Sequence, residues 1–289
     1  MSNDIQTRRL TTTIGAEISG VNLRSLDEHE AVRIRQELDN HGVLVFHDQH
    51  LNLDEQSHFA QVFGPLEPLQ SLKFLGWSHV LTLDGLVAAR SERPPTEQWV
   101  EHAGWHTDSS FTQAVPRAAV LRAEIIPPVG GMTSWVNMCA AFEALSPPMR
   151  EWLKTLRAIH SYPPGYREKI GVDKLAPDVQ KRFDEEFGPR AHPVVFRHPR
   201  SERCGLFVNP TYTTHIVGLS AKESRMLLNF LFTHFSNSDF IYRHLWHQGD
   251  IVVWDELATL HLAPDAAEYA PHRRRVVRVT AGLEAPVAA

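Results

Sequence analysis

The sequence predicts a mainly β protein with helices, a sandwich or barrel that carries a helical insertion. Three observations predict it. Short apolar runs rich in Val, Ile and aromatic residues recur between Pro and Gly breaks: "HVLTL", "RAAVLRAEIIP", "TSWVN", "PVVF", "GLFVN", "FIYRHLW", "DIVVWD" and "RRVVRVTAG". Helical patterns gather near the N-terminus and in the middle instead of alternating with strands, which argues against a doubly wound sheet. The glycines of "PPVGGMT" match neither GxGxxG nor GKT/S, so no phosphate loop opens a nucleotide-binding unit.

In chain order, "SLDEHEAVRIRQELDNHG" opens with Ser25 and Glu28 at capping-box spacing. Ala31, Ile34 and Leu38 then repeat at helical spacing, and Gly42 stops the helix. "VLVF" follows as a buried strand. "NLDEQSHFAQVFG" reads as a second helix, capped by Asn52 and ended by Gly64. The β-rich runs come next. "MREWLKTLRAI" and "KESRMLLNFLFTHF" are helical stretches of the middle, and the end returns to strands.

Composition narrows the function. The chain has 289 residues, 43% hydrophobic and 22% charged, ordinary values for a globular protein with a sizeable core. The formal charge is −5 and the only basic block is Arg273-Arg274-Arg275, which argues against a nucleic-acid partner. Cys139 and Cys204 form neither a disulfide framework nor a zinc knuckle, and they suit a reducing cytoplasm. "MSNDIQTRRL" lacks the apolar core of a signal peptide. No apolar run approaches the roughly 20 residues that cross a bilayer, so no membrane association is expected.

With 17 histidines, spacing must select the ligands. In "GWHTDSSF", His106 and Asp108 stand at i and i+2, pointing the same way from an extended chain. They share a solvated strand edge or they bite one ion. A third donor, His261, follows the strand-like "IVVW" in "GDIVVWDELATLHLAP". Two histidines and a carboxylate with open positions form the facial triad of non-haem Fe(II) enzymes that activate O2; a zinc-dependent hydrolase uses the same donors. "APHRRRVVRVT" makes iron the better choice, with the zinc-dependent hydrolase kept as the alternative from another class, by holding Arg274 and Arg278 on one face of a strand. Arginine binds a co-substrate carboxylate through paired, charge-assisted hydrogen bonds, and Thr133 after the "VGG" turn adds a hydroxyl.

These segments, together with "TTTIGAEISGVNL", "GVLVFHDQHLNLDEQSHFAQVFGPLEP" and "HPVVFRHP", make the chain resemble the TauD/TfdA family of Fe(II)- and 2-oxoglutarate-dependent dioxygenases over nearly its whole length. The resemblance implies one domain, residues 1–289, with a double-stranded β-helix (jelly-roll) core and a helical and loop insertion at about 140–235. It implies Fe(II) on His106, Asp108 and His261. It implies 2-oxoglutarate held by Arg274 with Thr133, O2 as oxidant, and succinate and CO2 as products. It further implies a small-molecule substrate and a homo-oligomer, dimer or tetramer. Arg278 matches the arginine that meets an anionic substrate group in several members.

Two departures bear on chemistry. Where members read Trp-Asp-Asn, this chain reads Trp254-Asp255-Glu256. In taurine-type members the segment after the second helix supplies a His and a Tyr to the substrate; here those positions are Leu69 and Leu72, and His102 replaces an Asn. The expected substrate is therefore a small organic acid with a bulky apolar body, hydroxylated beside the metal, with a sulfonate or sulfate ester of the taurine type as the alternative.

Overall fold

The computed structural model describes residues 5–85, 102 and 104–289. In chain order its elements are β1 (Gln6–Arg9), β2 (Ala16–Ser19), α1 (Glu28–His41), β3 (Val43–Phe46), α2 (Leu53–Ala60), α3 (Gln70–Phe74), β4 (Val80–Gly85), β5 (Val115–Ile125), β6 (Thr133–Asn137), α4 (Met138–Glu143), α5 (Pro147–Lys154) and β7 (Arg157–His160). Then come α6 (Tyr166–Ile170), α7 (Pro177–Phe187), β8 (Arg190–Pro193), β9 (Val195–Arg197), β10 (Cys204–Leu206), β11 (Thr213–Ile216), α8 (Ala221–Phe235), β12 (Ile241–His244), β13 (Ile251–Asp255), β14 (Thr259–Leu262), β15 (Arg274–Glu284) and β16 (Val287–Ala288). The protein is sheet-rich with helices packed around the sheets.

Three helix boundaries differ from the sequence reading. The second helix, expected to run to Gly64, ends at Ala60 and passes into a 3-10 turn over Gln61–Phe63. The capping box of α1 is Asp27 with Glu30, not Ser25 with Glu28, because the Ser25 amide is already committed to the Asn22 carbonyl in the preceding turn. "MREWLKTLRAI" does not stay helical. It stops at Lys154, and Arg157–His160 becomes β7 because β8 and β11 offer it a partner on both edges. Gly42 does end α1, with φ 69, a left-handed conformation that glycine adopts freely.

The main sheet runs β1-β2-β3-β13-β5-β15-β4, and a three-stranded sheet runs β12-β6-β14. Alternation along the main sheet sorts its side chains. Leu44, Phe46, Ile251 and Val253 face α1 and α2, where they meet Ile34, Leu38 and Phe59. Val43, Val45, Val252, Trp254 and Val276 face the other way, against Trp135 of β6 and Tyr242 of β12. The two sheets therefore face one another. The outer face of the smaller sheet, with Val136 and Leu260, packs on α4 and α8. The segment at about 140–235 holds α4 to α8 together with strands β7 to β11.

Candidate metal centre and active site

The space between the two sheets receives side chains from each. On β15, Arg274 and Arg278 share the face of Val276, which packs between the sheets. On β6, Thr133 shares the face of Trp135. His261 of β14 lies directly across from Trp135 and so points into the same space.

His106 reaches it from a loop. Its N–H donates to the His261 carbonyl at 3.1 Å, and the His261 N–H donates back at 2.8 Å. This isolated bridge sets the imidazole centroids 4.2 Å apart. Asp108 Oδ1 then stands 3.6 Å from His106 Nε2 and 3.9 Å from His261 Nε2. Donor atoms about 2.0–2.2 Å from a shared ion have separations of this order. His106 Nδ1 lies 2.7 Å from the Gly104 carbonyl, so it carries the proton and leaves the Nε2 lone pair facing Asp108. All three residues are buried. Burial pushes the Asp108 carboxyl up, but Arg278 and the two imidazoles outweigh it and hold it below the usual carboxylate range.

At the other end, the Arg274 Nε–H donates to the Gly131 carbonyl at 2.9 Å and an Nη–H to Thr133 Oγ1 at 3.2 Å. The Trp246 indole N–H donates to the same Oγ1 at 3.1 Å. With both contacts accepted, the Thr133 hydroxyl proton remains free to donate. No carboxylate among the described residues pairs with Arg274, and burial pulls its pKa down to about 10. Gly131, at φ +70, makes room: a Cβ there would come 2.9 Å from Pro127 and 3.2 Å from the Arg274 side chain. Arg273 and Arg275 point outward, to Asp84 at 2.5 Å and Glu124 at 2.8 Å.

Arg278 is paired: an Nη meets Asp108 Oδ2. Its buried Nε has no hydrogen-bond partner among the described residues. Over the triad lies an aromatic wall. Tyr212 packs on His106, and Phe111 packs on Tyr162, Tyr166 and Tyr212. Leu72 is buried on α3, while Leu69 sits at its N-terminal end, half-buried. Between them Ser71 is fully buried, its Oγ 2.6 Å from the Tyr166 hydroxyl. Burial pushes that phenol up to about 12. His102 sits against the end of α8, with Phe232, Thr233 and Ser236.

The sequence model of the taurine catabolism dioxygenase TauD, TfdA family matches residues 6–280. The chain belongs to the TauD/TfdA family. It is 35% identical to an α-ketoglutarate-dependent 2,4-dichlorophenoxyacetate dioxygenase of Cupriavidus pinatubonensis, over 85% of this chain and 87% of that protein. It is 33% identical to an alkylsulfatase of Acinetobacter baylyi, over 96% of this chain and 85% of that protein. A taurine dioxygenase from Burkholderia xenovorans superposes with a TM-score of 0.80 at 31% identity, covering 98% of this chain and 93% of that one.

The departure from the TauD/TfdA pattern at Glu256 faces inward. Its side chain is fully buried; Oε1 accepts from the Trp254 indole N–H at 2.8 Å and Oε2 from the Asp108 amide at 3.0 Å. Oε2 also lies 3.9 Å from His261 Nδ1. Burial and the Asp108 charge push the Glu256 carboxyl well up, so its neutral form is favoured. Sequence reasoning left Glu256 without a role and missed Ser71, Tyr166 and Tyr212. The tyrosine-rich "HSYPPGYR" is the one signal that could have pointed to the wall.

Proposed function

We propose that His106, Asp108 and His261 hold Fe(II), and that Arg274 with Thr133 holds the distal carboxylate of 2-oxoglutarate, inside a double-stranded β-helix core formed by a single domain, residues 1–289. The class is that of the family: this is a 2-oxoglutarate-dependent dioxygenase, an oxidoreductase using Fe(II), 2-oxoglutarate and O2. A zinc hydrolase would give no work to Arg274 or Thr133. The observation that carries the co-substrate assignment is Arg274: a buried cation whose partners among the described residues are all neutral. An unpaired buried charge costs several kcal/mol, and a carboxylate ligand offsets that cost.

When bound, iron and 2-oxoglutarate supply O2 activation and the oxidising power. The chain's own residues do the rest. His106 keeps Nε2 available because Nδ1 is committed to Gly104. Glu256 holds the Asp108 amide and the Trp254 indole, fixing the two ligand-bearing segments against each other. Phe111, Tyr212 and the neighbouring tyrosines exclude water from the triad.

For the primary substrate, the supporting features are Arg278, which has donors beyond those spent on Asp108, and the apolar wall with Leu72. Leu69 and His102 border the same entrance in this reading. Together they fit a small organic acid with a bulky or ring-containing body, which is hydroxylated; relatives named for sulfate esters and for phenoxypropionate are both organic anions. In the same reading the enzyme works in the cytoplasm as a dimer or tetramer; among the described residues no helix is long and apolar enough to cross a membrane. The test is succinate formation with Fe(II), 2-oxoglutarate and a panel of aryloxyalkanoates, cyclic acids, alkyl sulfates and taurine. Turnover of acids with bulky bodies is expected. Strong turnover of taurine alone would refute the substrate class.

A further inference from the structure

A second group of ligating side chains gathers where the end of β3 meets the turn into β13. We infer that His47, His247 and Asp250 form a surface site for a divalent transition-metal ion, separate from the catalytic centre. One donor atom from each lies within 4.8 Å of the others. Asp250 is buried, and its Oδ1 is 2.7 Å from His47 Nδ1 while its Oδ2 is 3.7 Å from His247 Nδ1. His244 holds Oδ2 from below through Nε2 at 3.0 Å, itself oriented by the Tyr242 hydroxyl at 2.7 Å from Nδ1. A carboxylate with an outer layer of groups that fixes its orientation is how metal sites are built.

Charge and access distinguish this cluster. Among the described residues no lysine or arginine pairs with Asp250; imidazoles and the His247 amide face it. The cluster of Asp39, His198 and Asp255 has similar donors, but there Arg200 already sits 2.5 Å from Asp39 and 2.7 Å from Asp255. That cation leaves no work for a metal. At Asp250 the way in is open, since the His47 and His247 side chains are 38% and 69% exposed. Glu17, 3.7 Å from His47 Nε2, is already paired with Arg8 and lies on the far side of the ring, so it is not one of the donors. Two imidazoles and a carboxylate suit Zn(II), Ni(II) or Cu(II) and not Mg(II) or Ca(II). β13 separates Asp250 from Glu256, so the site lies about 15–20 Å from the triad at strand rise. A bound ion would tie β3 to the β12–β13 turn.

The probe is Zn(II) added to metal-free protein, with the stoichiometry read by equilibrium dialysis. The wild type should bind two ions per chain, and His247→Ala one. A chain with both His106→Ala and Asp108→Ala should keep the surface ion and lose the other. In that double variant, Cu(II) should show histidine-nitrogen hyperfine structure in its EPR spectrum, and adding His47→Ala should remove it. His247→Cys, which keeps a ligand, should bind at least tenfold more tightly than His247→Ala. His58→Ala, at an exposed histidine elsewhere, should change nothing. Unchanged stoichiometry in His247→Ala, or equal loss in His58→Ala, would overturn the site. His247 is exposed, so its truncation does not endanger the fold.

Discussion

Arg274 and Arg278 stand on the same face of one strand, and the two ends of the pocket treat them differently. Arg274 meets a carbonyl and a hydroxyl. Arg278 meets the carboxylate that also faces the two imidazoles. Residue type and strand position are identical in kind, so the difference comes from what the neighbouring strands bring opposite. An uncompensated buried guanidinium is a receptor for an acid. A compensated one sets the charge and direction of its partner first and has only its spare donors for a ligand.

The largest test of that contrast is Asp108→Ala, which removes a proposed metal ligand and turns Arg278 into a second unpaired buried cation. Turnover should fall below detection, while the far-UV spectrum stays that of a folded chain. Wild-type succinate formation by this variant would remove Asp108 from the metal site.

The two arginines can then be set against each other. Arg274→Ala should raise the KM for 2-oxoglutarate by about 30-fold to several thousand-fold, since losing a buried charge-assisted pair costs about 2–5 kcal/mol. Arg278→Ala should act on the primary substrate instead, lowering its kcat/KM by roughly 10- to 150-fold (about 1.5–3 kcal/mol) and leaving uncoupled 2-oxoglutarate decarboxylation measurable. If Arg273→Ala or Arg275→Ala reproduces the first effect, the co-substrate does not sit on Arg274.

A smaller effect separates the charged pocket from the support behind it. The loop from His106 to Thr112 rests on two buried histidines: His160 beside Ser110, and His192 on the Thr112 carbonyl. Burial lowers the pKa of both, His192 to about 4. A depressed histidine pKa means that the folded state binds fewer protons than the unfolded chain. Stability is therefore complete above about pH 6.5 and is lost as pH falls toward 4, by on the order of 3 kcal/mol for His192. Urea midpoints at pH 7 and pH 4.5 measure the loss, and His192→Gln, which keeps a donor for Thr112 without titrating, should flatten the profile. An equal acid loss in that variant would exonerate His192.

Much of the fold and site was legible because it is encoded at short range. Period-two alternation placed Arg274 and Arg278 inside and Arg273 and Arg275 outside. The His-x-Asp spacing paired His106 with Asp108, and Asn52 capped the second helix, although its α-helical part stops at Ala60 and Gly64 closes only the 3-10 turn that follows. The failures were local signals overruled by distant partners. "LRAI" became β7 because two strands flank it, and the α1 cap moved because Ser25 was already used in a turn.

By itself, then, the sequence determined the family, the donor types and the face of each strand they occupy, since these depend on residue identity and periodicity. The tertiary structure alone decided who meets whom. Glu256 faces the Asp108 amide across 148 positions, Ser71 meets Tyr166 across 95, and His47 meets Asp250 across 203. Periodicity reports only which side of an element is buried. The partner on that side is set by strand order and sheet packing, through which burial, charge pairing and hydrogen bonding are satisfied together.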